Sequence, residues 1–367
     1  PVRISDRCVR TFIATLGRAL LRRPLTETEL EEWKLRGAAS MQDEGTDIYT
    51  ALSDIAAGMM QSPFFLYRVE RGEMTSEHPE YLRYSSVEMA SRLAFFFWNE
   101  GPDDELLKAG ENGDLLTDDG IGKQATRLLE NEKARRAVIS FFGQYLDLSR
   151  LKEVERDPAV YDGFTSTMPL SMRKELELVL DDIIFRENGD IRSLFTTRKT
   201  FVNEELAALY DLDVPQASPI SFVPVELPVE SKRQGILTLG AFLTMNAHQT
   251  ETSPTLRGKY LRERILCQTV AAPPDDIDLN LDNPPGAEPK TLRERLEEHR
   301  ENPACAGCHA FIDPPGFLFE VYDSVGRYRT HEGEHPIDAS GSIIRSFELW
   351  LISLSCQRGT FSSAVKT

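Results

Sequence analysis

Three residues with redox and metal-binding chemistry fall within five positions: Cys305-Ala306-Gly307-Cys308-His309. Two thiols three positions apart can each form a thioether with one vinyl group of a single haem, and the adjoining imidazole then lies against the iron. Cys-x-x-Cys-His is the pattern of c-type haem attachment. Read so, Cys305 and Cys308 are the anchors and His309 is the proximal ligand. Two other chemistries fit a bare Cys-x-x-Cys. One is half of a zinc site, with His331 and His335 as the remaining pair. The other is a thiol–disulfide couple, although no βαβ pattern precedes it. The stretch from Phe311 to Glu320 is apolar, with Asp313-Pro314-Pro315-Gly316 as a turn. Asp313 reads as the cap of that turn, and Phe317 as part of a wall for a porphyrin face. Arg327 offers a guanidinium to the propionates of a haem. Met245 is one candidate for the sixth iron ligand. His78 and His299 read as solvated.

The elements that must carry this motif are helices. Val9, Phe12, Ile13, Leu16 and Leu20 form an amphipathic stripe over about 6–22. Thr26 with Glu29, and Ser85 with Glu88, are capping boxes that open helices. Further helices are expected over 47–61, about 121–129, 134–145, 172–183, 235–243, 254–267 and 291–300. Strand alternation is confined to 200–202 and 220–225. The fold class expected is mainly α, with helical modules over 1–75 and 76–213 and a small α-rich, haem c-binding module over 214–367. A proline-rich linker is expected at 271–289.

Composition excludes several functions. The chain has 367 residues and a formal net charge of −17, so phosphate-backbone recognition lacks its basic footprint and nucleic acid is not an expected partner. No apolar run reaches the length of a membrane span. No nucleophile elbow, phosphate loop or His-Glu-x-x-His motif occurs. The acidic pairs Asp103-Asp104, Asp118-Asp119 and Asp275-Asp276 read as helix starts or solvated loops.

The segment from Arg293 to Arg329 resembles the C-terminal haem-motif region of a multidomain family found mainly in planctomycetes and myxobacteria, assembled from adjoining domains of unknown function. The resemblance rests on Arg293, Glu294, Arg295, His299, Arg300, Pro303, Cys305, Cys308, His309, Asp313, Pro314, Gly316, Phe317, Glu320, Tyr322, Asp323, Gly326, Arg327, Tyr328 and Arg329. Arg22-Arg23-Pro24-Leu25-Thr26 and Ser62 to Arg68 are similar to its N-terminal module. Ser91 to Trp98 is similar to the next, and Gly235 to Thr238, Thr252-Ser253-Pro254 and Arg257-Gly258 to the one carrying the motif.

That resemblance implies an exported, periplasmic or cell-surface protein with one covalent haem c. It also implies His248 as a sixth ligand in competition with Met245, the first giving a lower potential than the second. Three functions follow as expectations. The first is electron transfer to a redox partner protein steered by the acidic surface. The second is a haem enzyme with an open distal side, and the third a docking subunit of a larger redox assembly. An oxidising compartment makes one disulfide among Cys8, Cys267 and Cys356 an expectation.

Overall fold

A computed structural model describes residues 7–42, 47–75, 79–187, 189–272 and 290–343. Cys356, His78 and most of the 271–289 stretch lie outside the described residues. The protein is mainly α, with two-stranded antiparallel pairs at 73–74/82–83, 199–202/223–226 and 331–332/335–336. Among the described residues, no helix is long and apolar enough to cross a membrane. Contacts divide the chain into two units, Pro1–Ser140 and Phe141–Thr367.

The first unit is built from helices whose apolar stripes face inward. Arg7–Leu21, Glu27–Ser40 and Ile48–Met60 enclose Val9, Ile13, Leu30, Ile55 and Met59. The Thr26–Glu29 capping box forms in both directions, as does Ser85–Glu88 at the start of Ser86–Trp98. Each satisfies two of the donors that a helix start leaves open. Ala90, Leu93, Ala94, Trp98, Leu106 and Leu128 make a second core. Buried Trp98 donates its indole N–H to the Leu128 carbonyl at 2.9 Å.

The second unit is less regular. Met168–Asp181 continues through a π-helical turn, and the strand 199–202 pairs with 223–226 across the expected module boundary after residue 213. The helix expected over 235–243 is a 3-10 turn at Ile236–Thr238 followed by Gly240–Met245. The one expected over 254–267 is Pro254–Tyr260 with a π turn after it.

The largest departure from expectation lies at the motif. Pro303–Phe317 is one continuous helix that runs through Pro314 and Pro315. Neither proline can donate to the turn before it. The Phe311 carbonyl, which Pro315 leaves without its usual donor, accepts from Arg262 Nε at 3.1 Å. The same guanidinium stacks 4.1 Å from the Phe311 ring centre. A side chain from a neighbouring element thus replaces the bond that the proline removes.

Candidate functional site

Cys305, Cys308, His309, Ile312, Asp313 and Gly316 occupy one stripe of the Pro303–Phe317 helix, because positions three and four apart share a face. The Ile312–Gly316 end of that stripe packs against Pro254–Tyr260 at backbone distance. A Cβ at Gly258 would lie 1.7 Å from the Ile312 carbonyl oxygen, and one at Gly316 would lie 1.8 Å from the Pro254 carbonyl oxygen. No side chain fits at either place, so the two glycines set the spacing of the pair. At that spacing Thr255 Oγ1 reaches Asp313 Oδ1 at 2.9 Å.

Asp313 is fully buried, and its carboxylate oxygens lie 3.0 and 3.2 Å from His309 Nδ1. An ionised carboxylate only accepts, so Nδ1 carries the proton and donates. Nε2 of the neutral ring is then the atom with a lone pair. Asp313 is thus the partner of His309 and not the cap of a turn. Cys305 is buried and Cys308 half-buried. His299, at the end of Leu292–His299, sets its ring edge-on to His309 with centres 4.7 Å apart. Burial first, then the nearness of the His309 ring, hold the His299 imidazole below its usual pKa. The two rings are too close for a macrocycle to lie between them with a nitrogen on each face.

A buried charged network holds the C-terminal end of the motif helix. Arg257 donates to the carbonyls of Phe319, Tyr322 and Asp323 and pairs with Glu320 at 3.2 Å. Arg329 and the Thr252 hydroxyl complete the Glu320 site. Burial pulls Arg257 down to about 10, against the opposing pull of Glu320.

The other expected site residues stand elsewhere. Phe317 is enclosed by Leu292 and Leu296 with Arg293 over its ring at 4.4 Å, so neither face is open to a ligand. His248 sits exposed on a turn, its backbone N–H donating to the Glu251 carbonyl. Glu251 ties that turn to Arg295 at 2.9 Å. Met245 is buried in its helix. Arg327 donates from Nη2 to the Asp162 carbonyl at 2.9 Å and from its backbone to Asp323. His331 and His335 are exposed on the terminal hairpin. Among the described residues, no group of three or more His, Cys, Asp or Glu side chains is gathered to hold a metal ion. Cys8 and Cys267 are both exposed, and no disulfide joins the described cysteines.

Three family models match the chain, each described as a protein of unknown function: DUF1595 over residues 8–70, DUF1592 over 84–212 and DUF1588 over 233–332. Together they fit a multidomain family of domains of unknown function. No curated protein and no solved structure matches the chain.

Proposed function

We propose that the motif helix carries one covalent haem c and that the protein transfers electrons in an exported, periplasmic or cell-surface setting. The observation that carries this reading is the Asp313–His309 pair beside two thiols on the same helical stripe. The donor set suits the group: thiols at the first and fourth positions for thioethers, and an imidazole whose second nitrogen is already engaged. When bound, the haem supplies a one-electron Fe(III)/Fe(II) couple. Asp313 fixes the tautomer and plane of the ring and raises the basicity of Nε2, as a carboxylate behind a ligating histidine does. Thr255 fixes Asp313 in turn. An electron-rich proximal ligand favours the oxidised metal and so a low potential.

A second reading, a haem enzyme with an open distal side, is favoured by the placement of the two candidate sixth ligands. Met245 is committed to a buried core and His248 to an exposed turn.

The test is expression in a host that matures c-type cytochromes. A reduced α band that survives acid–acetone extraction is expected, and Cys305→Ala with Cys308→Ala is expected to abolish it. Asp313→Asn is expected to keep the covalent haem and raise its midpoint potential. Bare thiols in the mature wild-type protein, by mass, would end the haem reading. Carbon monoxide binding to the reduced protein would select the second reading over the first.

A further inference from the structure

The first unit contains a cleft of about 720 Å³ between residues 21–29, 64–71 and 85–91. That is the size of a small-molecule site. Leu21, Pro24, Phe64, Val69 and Val87 give it apolar walls, and Arg22, Arg23, Arg68 and Arg71 line it as well.

The four arginines are not equivalent. Arg22 is buried and donates to the carbonyls of Phe64, Phe65 and Tyr67, so it holds the chain that forms one wall. Arg23 is bound through both Nη atoms to Glu29, at 2.9 and 2.6 Å. Arg68 and Arg71 are exposed, and among the described residues neither guanidinium has a carboxylate or a hydrogen-bond acceptor. Each is held against a ring: Arg68 lies 5.2 Å from the Phe95 centre and Arg71 5.4 Å from the Phe64 centre. Stacking presents the planar fork with its donors free.

The local carboxylates are already used. Glu29 serves Arg23, Glu70 pairs with Arg92 at 2.7 Å, and Glu88 accepts the backbone N–H groups of Arg71, Gly72 and Ser85. Arg10, Arg18 and Arg127 in the same unit are all ion-paired. In a chain with 59 acidic and 42 basic residues, two stacked arginines without an acid beside an apolar cleft are a site with its counter-charge missing. The charge of Arg68 also helps burial hold Arg22 below its usual pKa.

We infer that this cleft binds an organic oxyanion, with an apolar body against Leu21, Pro24 and Val87 and a carboxylate or phosphate head forked between Arg68 and Arg71. The inference is independent of the haem reading.

The full-length protein is titrated by calorimetry with 3-phenylpropionate, phenyl phosphate and the neutral 3-phenylpropanol. Saturable binding of one anion per chain is expected. Arg68→Gln with Arg71→Gln is expected to weaken it by at least about tenfold, the loss of two charge-assisted bonds. The tryptophan fluorescence melt of that double variant, expected unchanged, controls for folding. Preference for phenylpropionate assigns the site to organic acids, and preference for phenyl phosphate assigns it to phosphate esters. Equal binding of the alcohol, equal binding by the double variant, or no binding of either anion would overturn the inference.

Discussion

Two helix contacts in this protein are built on opposite principles. In the first unit, Arg7–Leu21, Glu27–Ser40 and Ile48–Met60 meet through interdigitated side chains such as Ile13, Leu30 and Ile55. In the second, Pro254–Tyr260 and Pro303–Phe317 meet through backbone, at Gly258 and Gly316. The first contact needs volume and tolerates its redistribution. The second needs the absence of volume at two positions, and places a polar group of one helix within hydrogen-bond reach of a buried carboxylate of the other. The first makes a core. The second puts Thr255 on Asp313, and Asp313 on His309.

A methyl group added to one contact and a methylene removed from the other separate the two cases. Gly258→Ala forces a Cβ into the Ile312 carbonyl, and backbone cannot step aside as a side-chain tip can. The expected loss is at least about 4 kcal/mol, among the largest that single substitutions give. Amide exchange over 303–317 should rise toward that of an unfolded segment. Protection as in the wild type would show that the helices can separate at little cost.

The same contrast explains what could be read from sequence. Val9, Ile13 and Leu16 repeat at the helical period, and Thr26 and Ser85 each have their glutamate three positions on, so local signals specify the first unit's helices. At the motif, the local signal points the wrong way. Pro314-Pro315 reads as a turn, and only Arg262, about fifty residues earlier, restores the bond that a helix through it lacks. Once a turn is taken there, Asp313 becomes its cap. Its four-residue spacing from His309 has meaning only if the helix continues. Phe317 is legible as apolar, but which surface it faces depends on Leu292 and Leu296 of another helix. His299, expected in solvent, is half-buried beside His309 for the same reason.

On the other side of the comparison, loss should scale with volume. Ile55→Val is expected to cost about 1 kcal/mol and Ile55→Ala about 3 kcal/mol, the graded response of a well-packed core. Trp33 lies against the same helix, where a Cβ on Gly58 would meet its ring at 2.9 Å. Urea denaturation followed by tryptophan fluorescence therefore includes a reporter of this cluster, Trp33, beside Trp98 and Trp350. An all-or-none loss at Ile55→Val would erase the distinction between the two contacts.

An effect smaller than either the glycine substitution or Ile55→Ala concerns a second buried carboxylate in the second unit, and it sharpens what charge does there. Glu320 has Arg257 and Arg329 against it. Fully buried Glu175 has the hydroxyls of Thr200 at 2.6 Å and Tyr210 at 2.7 Å. Burial pushes Glu175 up to about 7, and the two hydroxyls and the charge of Arg233 only partly oppose it. The unfolded chain releases this proton near the ordinary value of 4.5, while the folded chain keeps it to about 7. Between those values the folded state holds the extra proton, so stability falls as pH rises through the window and levels off above it. The full difference is about 3 kcal/mol by linkage, and relaxation around the site reduces it to about 2 kcal/mol. Amide exchange over Met168–Asp181, corrected for the intrinsic pH dependence of exchange, should show weaker protection at pH 8 than at pH 5. Glu175→Gln keeps an accepting oxygen for one of the two hydroxyls, turns an amide donor to the other as the protonated acid does, and cannot ionise, so it should flatten that dependence. A slope unchanged in the glutamine variant would place the titrating group elsewhere in the unit.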